Sequence, residues 1–205
     1  MRATLREGAK LMAHGLAVAL VAPSIASFKV RSRLLGADRA LEGSTQAWAC
    51  APGLLGQYLR RAFLSHAIAH CARSATIEFG TIFSSAQARL GERAYVGPRC
   101  HLGWANVEED VLLAAGVHVP SGAHIHGTAD PTVAIREQAG AKRPVRIGAG
   151  AWVGSAAVVM ADVGRGTIVG AGAVVTRPLP DQVVAGGVPA RIIRERAPVL
   201  SRVTG

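Results

Sequence analysis

Two rhythms of hydrophobic positions divide the chain. In the first 75 or so residues the apolar side chains fall at helical spacings. A run from Leu11 to Ala22 is interrupted only by His14 and is expected to stop at Pro23. Farther on, Leu54, Leu55, Tyr58, Leu59, Phe63 and Ile68 share one helical face, with Arg60, Arg61 and His66 opposite. Those three basic residues are expected on a solvated or lipid-facing surface. From Ile77 the period becomes six. Aliphatic or aromatic residues open successive units at Ile77, Phe83, Leu90, Val96, Leu102, Val107, Leu113 and Val119, and again at Ile147, Val153, Val159, Val163, Val169 and Val175. Most steps are six residues, with slips of seven, five and four. Gly often follows the opening residue, and the fifth position is usually small or aliphatic, as at Ala94, Cys100, Val117, Ala157 and Ala173.

A period of six suits neither a helix nor an alternating strand; it is the signature of a hexapeptide parallel β-helix. Each unit supplies a short strand and a turn, three units make a triangular coil, and the first position fills the bore. Stacked coils bury together what a single coil cannot. A narrow bore also accounts for the composition, which is 50% hydrophobic but only 4% aromatic. The repeat lapses between Val119 and Ile147, a gap longer than an ordinary connection. The reading divides the chain into a helical region at 1–75, a solenoid at 76–188 with a protruding loop at about 120–146, and a short helix and tail at 189–205.

Charge separates the same regions. The net charge is +10, and residues 1–75 hold ten Lys and Arg against three acids, while the remainder holds thirteen against ten. Roughly 18 or more uninterrupted apolar residues are wanted for a bilayer-spanning helix, so the run ending at Pro23 is expected not to span. Three readings stay open for it. It can be a helical hairpin packed on the main domain, a helix lying on an anionic membrane surface, or a secretory signal with a small-residue site at Ser24-Ile25-Ala26. Aromatics and bases are not interleaved as in single-strand binders, so no nucleic acid is expected. Three cysteines, Cys50, Cys71 and Cys100, cannot all pair within one chain, which argues against a disulfide-stapled secreted scaffold.

The segment 147–155, then 169–176, and Gly187-Val188-Pro189-Ala190-Arg191 resemble the hexapeptide-repeat acyltransferases, above all the galactoside, maltose, nodulation-factor and colanic-acid O-acetyltransferases. Tyr58 to Phe63, followed by Ile77-Glu78-Phe79-Gly80-Thr81, looks like members that act in polysaccharide biosynthesis. The resemblance implies a left-handed β-helix, a homotrimer with active sites between subunits, acetyl-CoA as acyl donor, and a saccharide acceptor in exopolysaccharide or capsule synthesis. It implies a cytoplasmic enzyme, peripheral at the inner membrane face if the N-terminal region touches lipid, and no metal. The family's catalytic His falls on His124, in Pro120-Ser121-Gly122-Ala123-His124-Ile125-His126; His126 is the second candidate. An imidazole suits the task, because a sugar hydroxyl needs a base as it attacks a thioester. Ser155, Ala171, Thr176 and Arg177 match the positions along acetyl-CoA, and Arg191 and Arg194 match basic residues expected near its phosphates. Upstream of Leu90 no residue matches the family's acceptor contacts.

Two alternatives compete. His101 and His118 close hexads one coil apart and should stack about 4.8 Å apart, so a zinc enzyme like the γ-class carbonic anhydrases is geometrically conceivable with His124 or His126 nearby. A non-catalytic β-helix scaffold is the other, since fold alone does not fix function.

Overall fold

A computed structural model describes residues 2–196 of the chain, with side chains described from Met12. Three helices, α1 (Arg2–Leu35), α2 (Ala37–Ala49) and α3 (Gly53–Ala67), precede a solenoid of short parallel strands. Gly36, at φ +86°, makes the break between α1 and α2.

Three parallel sheets enclose one bore. The first pairs His70–Cys71, Arg89–Leu90, Ala105–Val107 and Val145–Ile147, and isolated bridges at Val163 and Leu179 extend it. The second carries six coils, from Thr76–Ile77 through Tyr95–Val96, Leu112–Leu113, Trp152–Val153 and Ile168–Val169 to Val183–Gly186. The third stacks Ile82–Phe83, His101–Leu102, His118–Val119, Val158–Val159 and Val174–Val175. Every bore position read from the period is buried, none more than 2% exposed.

The slips in the period share one place. Steps from the first face to the second, and from the second to the third, are all six: Leu90 to Val96 to Leu102, or Val163 to Val169 to Val175. The steps of seven, five and four run from the third face to the first: Phe83 to Leu90, Leu102 to Val107, Val159 to Val163, and Val175 to Leu179. The long insertion between Val119 and Ile147 leaves from that same corner.

The helices close the open end of the first coil. Thr45 Oγ1 accepts from the Phe83 N–H and donates to its carbonyl, both at 3.2 Å. The Gly80 N–H donates to the Ala49 carbonyl (2.9 Å), and the Ala86 N–H to Asp38 Oδ1 (2.9 Å). Arg60, expected on the surface, is buried instead. Its Nε donates to the Ile77 carbonyl at 2.9 Å, and its Nη1 to the carbonyls of Ala51 (2.6 Å) and Trp48 (3.3 Å). A guanidinium supplies several donors in one plane, which suits a helix end and a strand edge that both present unpaired carbonyls. Burial lowers its pKa from the usual value, and the nearby Glu78 opposes that shift.

Two further expectations are corrected. Pro23 lies inside α1, because Ala17, Val21, Ile25 and Phe28 continue one buried stripe across it. Phe28 meets Phe63 edge-on, with ring centroids 5.8 Å apart, and Trp48 Nε1 donates to Ser24 Oγ at 3.1 Å. Tertiary packing of this face outweighs the lost backbone hydrogen bond. Met12–Leu35 is therefore long and apolar enough to cross a membrane by length and composition, although one face is packed on α2 and α3. At the other end, the expected helix after residue 189 is replaced by a strand, Arg191–Glu195, antiparallel to Val183–Gly186. It covers the edge that the last coil of the second sheet would leave unpaired. Residues 197–205 of the expected tail lie outside the described part.

Candidate active site

The insertion is a two-ply arm. Its outgoing and returning plies are joined by hydrogen bonds from the Arg143 N–H to the Ser121 carbonyl (2.9 Å) and from the Ala141 N–H to the His124 carbonyl (2.7 Å). Gly140 lies so close to the Ile125 backbone that a Cβ there would come 2.2 Å from its carbonyl oxygen. At the tip, Gln138 Nε2 donates to the carbonyls of Asp130 (2.7 Å) and Val133 (2.8 Å), and its Oε1 accepts from the Asp130 N–H (3.0 Å). Ser121 anchors the base, where its Oγ accepts from the Trp104 N–H at 2.9 Å. The arm is thus held by its own backbone and by the coil beneath.

Under the arm, on the outer surface of the third sheet, lies a cleft of about 370 Å³. Its floor is His101 and His118, which pair in register on adjacent coils with ring centroids 4.7 Å apart at an interplanar angle of 74°. The arm brings Ile125 and His126 to it, and α2 contributes Asp38, Arg39 and Glu42. Lys142 of the arm bridges to Asp38 Oδ2 at 3.1 Å, tying the two walls together. Partial burial, and then the neighbouring His101, lower the pKa of His118 and favour its neutral form. His101 Nε2 is buried without a hydrogen-bond partner.

His124 and His126 are both exposed on the arm, but only His126 lines this cleft. The predicted stacking of His101 on His118 is present, edge to face. Among the described residues of one chain, no three of His, Cys, Asp and Glu are grouped to hold a metal ion. The walls from α2 and Lys142 were not apparent from the sequence. They lie far from the arm's histidines in the chain, and no motif marks them.

The residues matched to acetyl-CoA separate into two groups. Ser155 and Ala171 occupy exposed turns of successive coils at the corner between the second and third sheets, where the Gly172 N–H donates to the Ser155 carbonyl at 2.8 Å. Ala115 holds the equivalent place one coil earlier and accepts from the Ala156 N–H at 2.9 Å. Such small residues put no bulky side chain on this corner. A Cβ on Gly154 would come 2.5 Å from the Ala171 nitrogen, so Gly at this position lets the two turns stack. Arg191 pairs with Gly186 near the same corner, one coil on. Arg194, opposite Val184, stands farther along that exposed strand. Thr176 and Arg177 are exposed too, but they follow Val174–Val175 at the other edge of the third sheet. The His118 strand pairs with Val158, so the cleft floor and the Ser155 turn lie on neighbouring coils.

No family model matches the chain. Over 54 residues it is 46% identical to a galactoside O-acetyltransferase of Escherichia coli, covering 25% of this chain and 27% of the relative. Over 73 residues it is 38% identical to a Mycobacterium tuberculosis protein named as an acetyltransferase, covering 35% of this chain and 24% of that one. A Saccharomyces cerevisiae protein, also named as an acetyltransferase, is 28% identical over 112 residues, 51% of this chain and 57% of its own length. The chain therefore spans between about a quarter and somewhat over half of these relatives. Among solved structures, a galactoside acetyltransferase in complex with coenzyme A superposes with TM-score 0.63 at 21% identity, covering 83% of this chain and 91% of that one. A maltose O-acetyltransferase from Clostridium difficile gives TM-score 0.66 at 19% identity, covering 78% and 89%. These likenesses establish the left-handed β-helix fold.

Proposed function

We propose that this chain, which shares the fold and the hexad repeat of the hexapeptide-repeat acetyltransferases, moves an acetyl group from acetyl-CoA to a hydroxyl of a saccharide. The observation that carries the reading is the pinned arm. It holds His126 over the cleft, and His124 two residues away, and the cleft floor lies one coil from the Ser155 turn. The local identity to a galactoside O-acetyltransferase supports the same chemistry.

A neutral imidazole of the arm takes the proton of the acceptor hydroxyl as its oxygen attacks the thioester carbonyl. The tetrahedral oxyanion is met by fixed backbone N–H donors, and its collapse expels the CoA thiolate, which recovers the proton from the imidazolium. Ser155 and Ala171 line the pantetheine, and the cations Arg177, Arg191 and Arg194 serve the CoA phosphates, on one subunit or across two. A homotrimer is part of this reading, with each site between neighbouring subunits. Exposed Leu112 and Trp152 on the outer second sheet are suited to such a contact. A cytoplasmic reaction, and an exopolysaccharide or capsule intermediate as acceptor, complete this reading.

The test is acetyl transfer, followed as thiol release together with mass spectrometry of the acceptor. Galactosides, maltose, nucleotide sugars and amino sugars form the panel. Acetylated product on a sugar oxygen is expected. Product on nitrogen alone would move the reading to amide formation, and no thiol release with any acceptor would favour the scaffold.

A further inference from the structure

A second cleft, of about 590 Å³, opens on the far side of the helical layer, where α1 and α3 meet the first two coils. The acetyl-transfer chemistry does not use it. One pole is basic. His14 of α1, Arg61 of α3 and Arg73 of the first coil line it. Arg61 Nη1 donates to the Ala75 carbonyl at 3.1 Å, and its guanidinium lies 4.7 Å above the Tyr58 ring, so its orientation is fixed. Arg61 Nε and His14 Nδ1 are buried without partners, and Arg73 is exposed with no ion pair among the described residues. Burial, and then Arg61, Arg73 and His66, lower the His14 pKa. One acid lines the same cleft: Glu92 accepts from Ser74 Oγ, next in the chain to Arg73, while Arg93 is paired with Asp110 at 2.5 Å.

Leu54 lines the cleft and is 68% exposed, and on the outward face of α1 Met12 and Leu16 are each at least 65% exposed. From Met12 and Leu16 the exposed face of α1 continues through Ala19, Leu20, Ala22, Pro23 and Ala26 without a charge until Lys29. A helix covered by water would present polar residues there. Cations at one end, an uncharged outward stripe and Lys29 and Arg33 at the other end match a helix lying in a lipid interface.

We propose that this cleft binds the phosphate of an anionic membrane lipid through Arg61 and Arg73, with the acyl chains leaving past Leu54 toward the apolar outward face of α1. A guanidinium fixed against an aromatic ring, with unused N–H donors, suits a phosphate oxygen. The stripe supplies what a free anion would not need. The inference stands apart from the acetyl-transfer reading and holds whatever the acceptor is.

The experiment titrates the full-length protein with dihexanoyl phosphatidylglycerol below its micelle concentration, and separately with inorganic phosphate. Arg73→Gln and a charge-matched solenoid variant, Arg89→Gln, are compared with wild type. Saturable lipid binding is expected, weakened more than tenfold by Arg73→Gln and less than twofold by Arg89→Gln. One unit of diffuse charge near a membrane is worth only about fivefold. Sedimentation with vesicles should show capture by phosphatidylglycerol-containing membranes and little by phosphatidylcholine alone. Inorganic phosphate binding as tightly as the lipid would make this a free-anion site and overturn the lipid assignment. Absence of saturable binding, or equal losses in the two variants, would overturn the site itself.

Discussion

Replacing Gly154 by Ala tests the coil stacking that sets the Ser155–Ala171 corner. The new Cβ would come 2.5 Å from the Ala171 nitrogen, and 2.9 Å from both the Ala171 Cα and the Gly170 carbonyl carbon. All three are backbone atoms, so no side chain can swing aside. Ordinary contact requires the turns to separate by nearly an ångström. That strains the hydrogen bonds from the Gly154 N–H to the Val169 carbonyl and from the Gly172 N–H to the Ser155 carbonyl, both 2.8 Å. Overpacking of this kind costs about 1–3 kcal/mol, and each weakened hydrogen bond up to about 1 kcal/mol. A total of about 2–4 kcal/mol corresponds to a fall in Tm of about 5–15 °C for a chain of this size. Gly170 opens the next turn of the same motif, yet a Cβ there meets nothing nearer than 3.5 Å. Gly170→Ala should therefore stay within about 2 °C of wild type. Thermal unfolding of the three proteins at one concentration is the assay. Equal Tm values for Gly154→Ala and wild type, or a larger loss from Gly170→Ala, would refute the argument.

Other outcomes follow from single contacts. Arg60→Met keeps volume but leaves the carbonyls of Ile77, Ala51 and Trp48 without their donor, so urea denaturation should show a loss of about 2–4 kcal/mol. His118 has a lowered folded pKa, so below the ordinary imidazole value the unfolded chain binds more protons than the native one. Stability should then fall as pH drops from about 7 toward 5, and His118→Asn should flatten part of that slope. Lys142→Ala removes an exposed ion pair to Asp38 and should change Tm by no more than about 2 °C. Because that pair ties the arm to α2, the same variant should show faster limited proteolysis within 120–146.

The bore was legible in the sequence because its requirement is local and periodic: one inward aliphatic per six residues, from Ile77 to Val175, needs no knowledge of distant contacts. The arm was legible as a lapse in that period. Contacts made across long sequence separations were not. Arg60 looks like one more base on a polar helix face, and only the open edge of the first coil shows why it turns inward. Pro23 reads as a stop until the stripe of Ala17, Val21, Ile25 and Phe28 is seen packed on α2 and α3. Arg191 to Glu195 alternates too weakly to announce a strand, and its pairing is dictated by the bare edge at Val183–Gly186. For the cleft, the arm's histidines were visible as candidates, whereas Asp38, Arg39 and Glu42 reach it only through the fold of the helical layer.

The claim that an imidazole of the arm takes the acceptor's proton is tested most directly by kcat for acetyl transfer in His124→Ala and His126→Ala, measured beside calorimetric affinity for coenzyme A. The account predicts that one of the two variants loses about 10²- to 10⁴-fold in kcat while its coenzyme A affinity stays within about twofold of wild type. Both variants turning over within threefold of wild type would contradict it.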